Sequence, residues 1–242
     1  MTLQELLEEL RENILRDTSD AATADPGDYL LSDKSLVRYI NDAEVQFAKT
    51  TLCLRDETTP AVCHVQLVAG QSEYDLDERV LSLFGARVGN RHLKRTTYAA
   101  MTNRRGDVSF ASPIETWGHN HGGPAVVYTD REDGRVGIYP APSAEFILST
   151  GGLMVLRVAR KPLAPLVASN LKAEPEVKSE YHLDMLEWAA WRALRNHDHD
   201  VENMAKASAH KKRFVDATRE LEVAAKRLLA QDIQFGVNTN WS

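Results

Sequence analysis

Apolar residues repeat with a helical period at both ends of the chain and with a period of two between them. A helix buries a stripe and a strand buries alternate residues, so this change of period sets the order helix, sheet, helix. At the start, Leu3, Leu6, Leu7, Leu10 and Ile14 share one helical face, and Thr2 stands at capping-box spacing from Glu5. Residues 17–28 carry no apolar period and read as a loop. Ser32 is then the expected N-cap of a second helix reaching about Thr51, with Leu31 and Leu36 as a hydrophobic staple and Leu36, Ile40, Ala43 and Phe47 as its buried stripe.

From Ala61 to Leu67 alternate residues are apolar, which predicts a first strand. Further strands are predicted at 80–88, 91–97, 124–128, 135–139, 145–150 and 151–160, with Asp133-Gly134 favouring a tight hairpin turn. Residues 99–123 show no period. After a loop at 161–175 the helical pattern returns, with Tyr181, Met185 and Trp188 on one line and Leu183, Leu186, Ala190 and Ala193 on the next. A last helix over 201–230 would run about 45 Å. Met204, Ala205, Ser208, Val215, Thr218, Ala225 and Leu228 would lie along one side of it. The predicted class is α+β: a helical bundle from the N- and C-terminal helices with an inserted antiparallel β domain. The predicted divisions are 1–58, 59–162, 163–230 and a tail at 231–242.

The 242 residues suffice to bury a core without staples, and the only cysteines, Cys53 and Cys63, form no C-x-x-C pair, so neither a disulfide framework nor a cysteine zinc site is encoded. No apolar run approaches the roughly 18 to 20 residues that span a bilayer, and the acidic start lacks a signal-peptide pattern, so a soluble, cytosolic product without membrane contact is expected. The net charge of -6 is concentrated in residues 1–58, which hold 13 acids and 6 bases. That balance disfavours a chain whose task is to hold bare nucleic acid.

Basic residues gather at Arg87, Arg91, Lys94 and Arg95, with Arg104 and Arg105 beyond, and again at Lys206, Lys211, Lys212 and Arg213. In the second group Asp216, Glu220 and Glu222 interleave at i+3 and i+4, the pattern of a solvated or inter-subunit salt-bridged face. Trp188 falls on the apolar line and reads as core. Trp191, beside Arg192, reads as an interface residue, so Trp191, Lys211, Lys212, Arg213, Asp216 and Glu220 are the inter-subunit candidates. His197-Asp198-His199-Asp200 places neighbouring side chains about 100° apart on a helix, which suits helix capping better than metal binding. His119-Asn120-His121 lies among glycines and reads as a loop. No nucleophile elbow, P-loop or dinucleotide fingerprint occurs, so no catalytic, cofactor or metal residue is assigned.

Several segments, in this order and spacing, resemble the head-to-tail adaptor (connector) proteins of tailed bacteriophages, particularly the short-tailed type. They are Leu31-Ser32-Asp33 leading into a helix centred on Tyr39-Ile40-Asn41 and Ala43; Val68-Ala69-Gly70-Gln71 before Tyr74 and Leu76; Ile138-Tyr139-Pro140-Ala141-Pro142; and Glu180-Tyr181-His182 through Trp188-Ala189, with His210 and Phe214. The resemblance implies a non-enzymatic virion protein that forms a ring, dodecameric in the family, joins the portal to tail nozzle, tube or fibre proteins, and passes DNA only through its channel. It implies assembly in the host cytoplasm, residence at the head-tail junction and no cofactor. It also implies that the C-terminal tail inserts toward the portal, with Phe235, Val237, Asn240 and Trp241 as candidate portal-binding residues. The rival readings are a nucleic-acid-binding or DNA-packaging accessory protein using the two basic clusters, and a metal-dependent phosphohydrolase centred on residues 197–200.

Overall fold

Thr2 and Ser32 each cap a helix in the computed structural model, which describes residues 1–16, 31–97, 123–124, 126–130, 134–197 and 201–231. The chain divides into two units, Met1–Leu54 with Lys161–Ala225, and Arg55–Arg160 with Lys226–Ser242.

In the first unit, α1 (Leu3–Glu8) closes a full capping box: the Thr2 hydroxyl accepts from Glu5 N, and the Glu5 carboxylate accepts from Thr2 N at 2.9 Å. The Leu3 and Gln4 amides, which no helical carbonyl can serve, donate to Ala173 and Leu171 in the later loop. The helix widens into a π-helical stretch, Glu9–Leu15, and stops where Arg16 turns left-handed at φ 54°. Leu3, Leu6 and Leu10 are fully buried against α2 (Asp33–Thr51), whose Leu36, Ile40, Ala43 and Phe47 form the predicted stripe.

A 3-10 turn, Ser179–Tyr181, leads into α5 (His182–His197), followed by α6 (Val201–Gln231). Helices α2, α5 and α6 are joined by a file of five aromatic rings. Tyr181 meets Phe47 at 5.5 Å, Phe47 meets Phe214 edge-on at 6.2 Å, Phe214 meets Trp188 at 5.0 Å and Trp188 meets Trp191 at 4.4 Å. On α6 the buried side carries Ala207, Phe214, Thr218 and Ala225. Of the expected stripe only Thr218 and Ala225 are buried; Met204, Val215 and Leu228 are exposed. Helix α6 has few large apolar residues and its weak period fits two faces, so the bulk of Phe214 decides which one turns inward.

The second unit is an eight-stranded sheet of β1 (Arg55–Asp56), β2 (His64–Gln66), β3 (Glu73–Asp75), β4 (Val80–Val88), β5 (Arg91–Thr97), β6 (Val126–Asp130), β7 (Arg135–Tyr139) and β8 (Leu153–Arg160). The order is β1-β8-β4-β5-β6-β7-β3, with β2 also on β8. Strands β6 and β7 pair as the expected hairpin, Val126 opposite Tyr139 and Asp130 opposite Arg135. The sheet is mixed rather than wholly antiparallel, because β5 and β6 run parallel; residues 98–125 supply the long connection that a parallel pair requires.

One predicted strand is helical and another is helical in its first half. Residues 145–150 lie in α4 (Ala144–Thr150), where Ser143 Oγ accepts from Phe146 N at 3.1 Å and Gly151, at φ 75°, ends the helix. So short an apolar run has no decisive period, and the caps determine its form. The predicted strand at 61–67 starts instead with α3 (Pro60–Cys63), whose Pro60 is preorganised for a first helical turn, and becomes extended at His64.

The chain enters this unit along β1 and leaves it along β8, and the two pair with each other, Arg55 opposite Ala159 and Asp56 opposite Val158. Beside that pairing the buried Asp56 carboxylate accepts from Thr58 N at 2.8 Å, Thr59 N at 3.1 Å, Thr59 Oγ1 at 2.6 Å and Arg160 Nε at 2.6 Å. Burial alone would raise its pKa, but the donors from Thr59, Thr58 and Arg160 outweigh burial and hold it far below the usual carboxylate range. Burial, reinforced by that carboxylate, pushes the neighbouring Cys63 thiol up to about 11, and both cysteines are free.

Asp56→Asn, which removes the charge paired with the half-buried Arg160 and weakens the acceptor for the Thr58 and Thr59 donors, is expected to lower stability at neutral pH by about 3 kcal/mol in urea unfolding. A native carboxyl with a lowered pKa stabilises above the unfolded value of about 3.9 and loses that contribution as pH falls through and below it. The gap between wild type and Asp56→Asn therefore narrows from pH 7 toward strongly acidic pH. Phe214→Ala, which removes the centre of the aromatic file, is expected to cost about 3–5 kcal/mol by the same measurement.

Candidate functional site

The sheet carries a basic cleft within the second unit. Pairing sets Gly85 opposite Arg157 and Arg87 opposite both Val155 and His92, so Arg87, His92 and Arg157 rise from one face of three adjacent strands. Lys94, two residues beyond His92, shares that face. A bulge between Leu83 and Gly85 adds Phe84, whose ring lies 5.0 Å beneath the Arg55 guanidinium. These residues border an open cleft of about 470 Å³ whose charged lining is Arg87, Lys94, Arg95, Arg157 and Glu57. Its floor is low at Gly85, where an added Cβ would meet no atom within 4 Å. Arg95 is partly committed inward, donating to Leu83 O at 2.7 Å, whereas Arg87, Lys94 and Arg157 are exposed.

Of the basic group seen in the sequence, the fold gathers Arg87, Lys94 and Arg95. Arg91 pairs with the buried Val88 and stands on the opposite face. Arg157 carries no local signal: on β8 Leu153 and Arg157 are exposed with three buried residues between them, and pairing with β4 opposite Gly85 is what brings Arg157 to the cleft.

The first unit carries a second charged surface. Trp191 is 9% exposed beneath three cations, with Lys211 Nζ 5.0 Å, the Arg195 guanidinium 5.5 Å and the Arg192 guanidinium 6.0 Å from its ring. Asp42 takes the Trp188 indole N–H at 2.9 Å and lies 3.1 Å from Arg192 Nε. Glu187 faces His210 Nδ1 at 2.6 Å and Arg213 Nη1 at 3.7 Å. Among the inter-subunit candidates, Trp191 and Lys211 thus meet each other and Arg213 meets Glu187. Lys212, Asp216 and Glu220 are exposed.

The portal-binding candidates Phe235, Val237, Asn240 and Trp241 lie outside the described residues, as do Arg104, Arg105, residues 119–121 and residues 198–200. Among the described residues no group of His, Cys, Asp or Glu could hold a metal ion, and no helix is long and apolar enough to cross a membrane.

The distinctive sequence segments act within the fold. Asn41 clamps the loop backbone at Leu166, donating to its carbonyl at 2.9 Å and accepting from its amide at 2.8 Å. The Tyr74 hydroxyl donates to Gln71 O at 2.9 Å and accepts from Val68 N at 3.1 Å. Gly70, at φ 77°, donates to Pro142 O, two residues past the cis Tyr139-Pro140 bond. His182, 1% exposed, places Nε2 2.8 Å from Val177 O.

A family model described as SU10 adaptor protein matches residues 1–234. No curated protein matches the chain.

Proposed function

This chain belongs to the SU10 adaptor protein family, and on that premise we propose that it is a structural virion protein that forms a ring between portal and tail and extends the DNA channel. The observation that carries the proposal is the extent of the family match, which runs through both units to residue 234. An adaptor family is not an enzyme family, and a phage adaptor has portal and tail proteins as its partners.

The residues fit such work. The segments shared with head-to-tail adaptors fix caps, loops and packing, leaving the charged surfaces available for contacts. A closed ring of identical copies needs two different, complementary faces on each copy. In this reading residues 201–230 supply part of one face through Lys212, Asp216 and Glu220, with Trp191, Lys211 and Arg213 beside them. Residues 231–242 reach the portal, with Phe235 and Trp241 as apolar anchors and Val237 and Asn240 between them. The protein then assembles in the host cytoplasm and resides at the head-tail junction. The basic cleft favours a second reading, a DNA-binding accessory protein, against which stands the net charge of -6.

Mixing the purified protein with the portal ring of its own phage, and following mass by mass photometry, tests the proposal. The expected result is a discrete jump equal to a full ring of copies, lost when residues 231–242 are removed. A jump that survives truncation moves the anchor into the helices. Absence of any jump with both proteins folded overturns the adaptor reading.

A further inference from the structure

The N-terminal helix presents a row of like charge on its solvent side. Glu5, Glu8 and Glu12 are exposed and Glu9 is half-buried, opposite the buried Leu3, Leu6, Leu7 and Leu10. Their described side-chain partners are neutral: Glu8 accepts from Gln4 at 2.9 Å and Glu9 from Asn13 at 2.6 Å. No salt bridge joins any of the four to a cation among the described residues. Glu5 is held by the capping box, but Glu8 and Glu12, four residues apart, repel one another until positive charge meets them.

The cleft on the sheet has the opposite character and a matching size. Glu5 to Glu12 spans at most about 10 Å, the roughly 1.5 Å rise per residue of an α-helix shortening where the helix widens from Glu9. Arg157, Arg87 and Lys94 stand on three neighbouring strands, which at about 4.8 Å between strands also cover about 10 Å. The open floor at Gly85 leaves depth for side chains entering from above. Arg87 and Arg157 form no salt bridge with an acid among the described residues.

We propose that this cleft seats the N-terminal helix of a second copy of the chain, with the Glu5, Glu8, Glu9 and Glu12 carboxylates over Arg87, Lys94 and Arg157. The inference rests on the adaptor reading in one respect, that copies stand side by side. Helix and cleft are different surfaces, so the contact can repeat head-to-tail from copy to copy, as a ring requires.

Charge exchange tests it on the full-length chain loaded onto the portal ring. Arg87→Glu with Arg157→Glu, and separately Glu8→Lys with Glu12→Lys, are each expected to raise the concentration for half-assembly by about tenfold or more. The quadruple variant, with the charges exchanged, is expected to return close to wild type, a rescue that a folding defect cannot give. Doubles that assemble like wild type, or a quadruple without rescue, overturn the docking and leave the adaptor reading standing. Binding of a short DNA duplex that is lost in Arg87→Glu with Arg157→Glu, with assembly unchanged, assigns the cleft to DNA and also overturns it.

If the wild-type protein does not load onto the portal, the adaptor reading fails and the docking is decided by cross-linking in free solution. Copies carrying Glu12→Cys are mixed with copies carrying Arg157→Cys and treated with a bismaleimide whose span of about 10 Å matches two long side chains paired end to end, since a disulfide would need Cα atoms within about 7 Å, with the unsubstituted protein as background for Cys53 and Cys63. A heterotypic product well above the homotypic ones supports the contact, and equal yields overturn it.

Discussion

A sheet inserted between Leu54 and Lys161 must bring its two ends together, and the Asp56–Arg160 pair seals that junction. Two buried charges are costly, and their attraction alone seldom compensates for lost hydration. Here the carboxylate is also served by the amides and hydroxyls of Thr58 and Thr59, so its lone pairs are occupied from several directions. The sheet order follows from this closure. With the entering strand on one side of β8 and β4 along the other, β8 becomes an interior strand, and six of its eight residues are buried or half-buried. Cys63 lies fully buried beside this junction, where its raised pKa makes it a small apolar filler rather than a nucleophile.

The first unit is held by contacts distant in sequence. Phe47 and Phe214 bring α2 against α6 across most of the chain, and Asn41 and the 1%-exposed Glu44 fasten the loop that follows the sheet. Glu44 is buried because its carboxylate accepts the Glu176 amide at 2.6 Å, which answers a backbone donor that no strand or helix serves. Polar residues in the middle of α2 thus position a loop, and the same loop offers carbonyls to the open start of α1.

How much of this the sequence reveals depends on how local the determining force is. The Thr2 and Ser32 caps, the α2 stripe, the extent of β4 and β5 and the β6–β7 pairing are encoded within a few residues, and they form as predicted. The segment 145–150 takes its form from its caps, Ser143 and Gly151, and the first half of 61–67 from Pro60 at the first helical turn, each against a short apolar pattern. The buried face of α6 is not legible locally, because Phe214 is selected by Phe47 and Trp188 on other helices. The basic cleft was half legible. Arg87 and Lys94 are neighbours in sequence, but Arg157 joins them only through the β4–β8 register, which no local pattern carries.

Charged surfaces of this kind are weak singly and effective in a closed array. An exposed ion pair contributes about 0–1 kcal/mol and is screened by salt, so one copy holding another through a few carboxylates and guanidinium groups is a loose encounter. In a ring each copy makes the contact twice, and a template that holds copies adjacent raises their effective concentration, so the same loose contact becomes sufficient. A strong apolar face would instead join copies before the template was present and permit open chains as readily as rings. In the proposed docking, long-range attraction between the acidic helix and the basic sheet would also orient copies as they approach, favouring one register over others. In the proposed ring, specificity would then come from charge placed by strand register, and strength from closure.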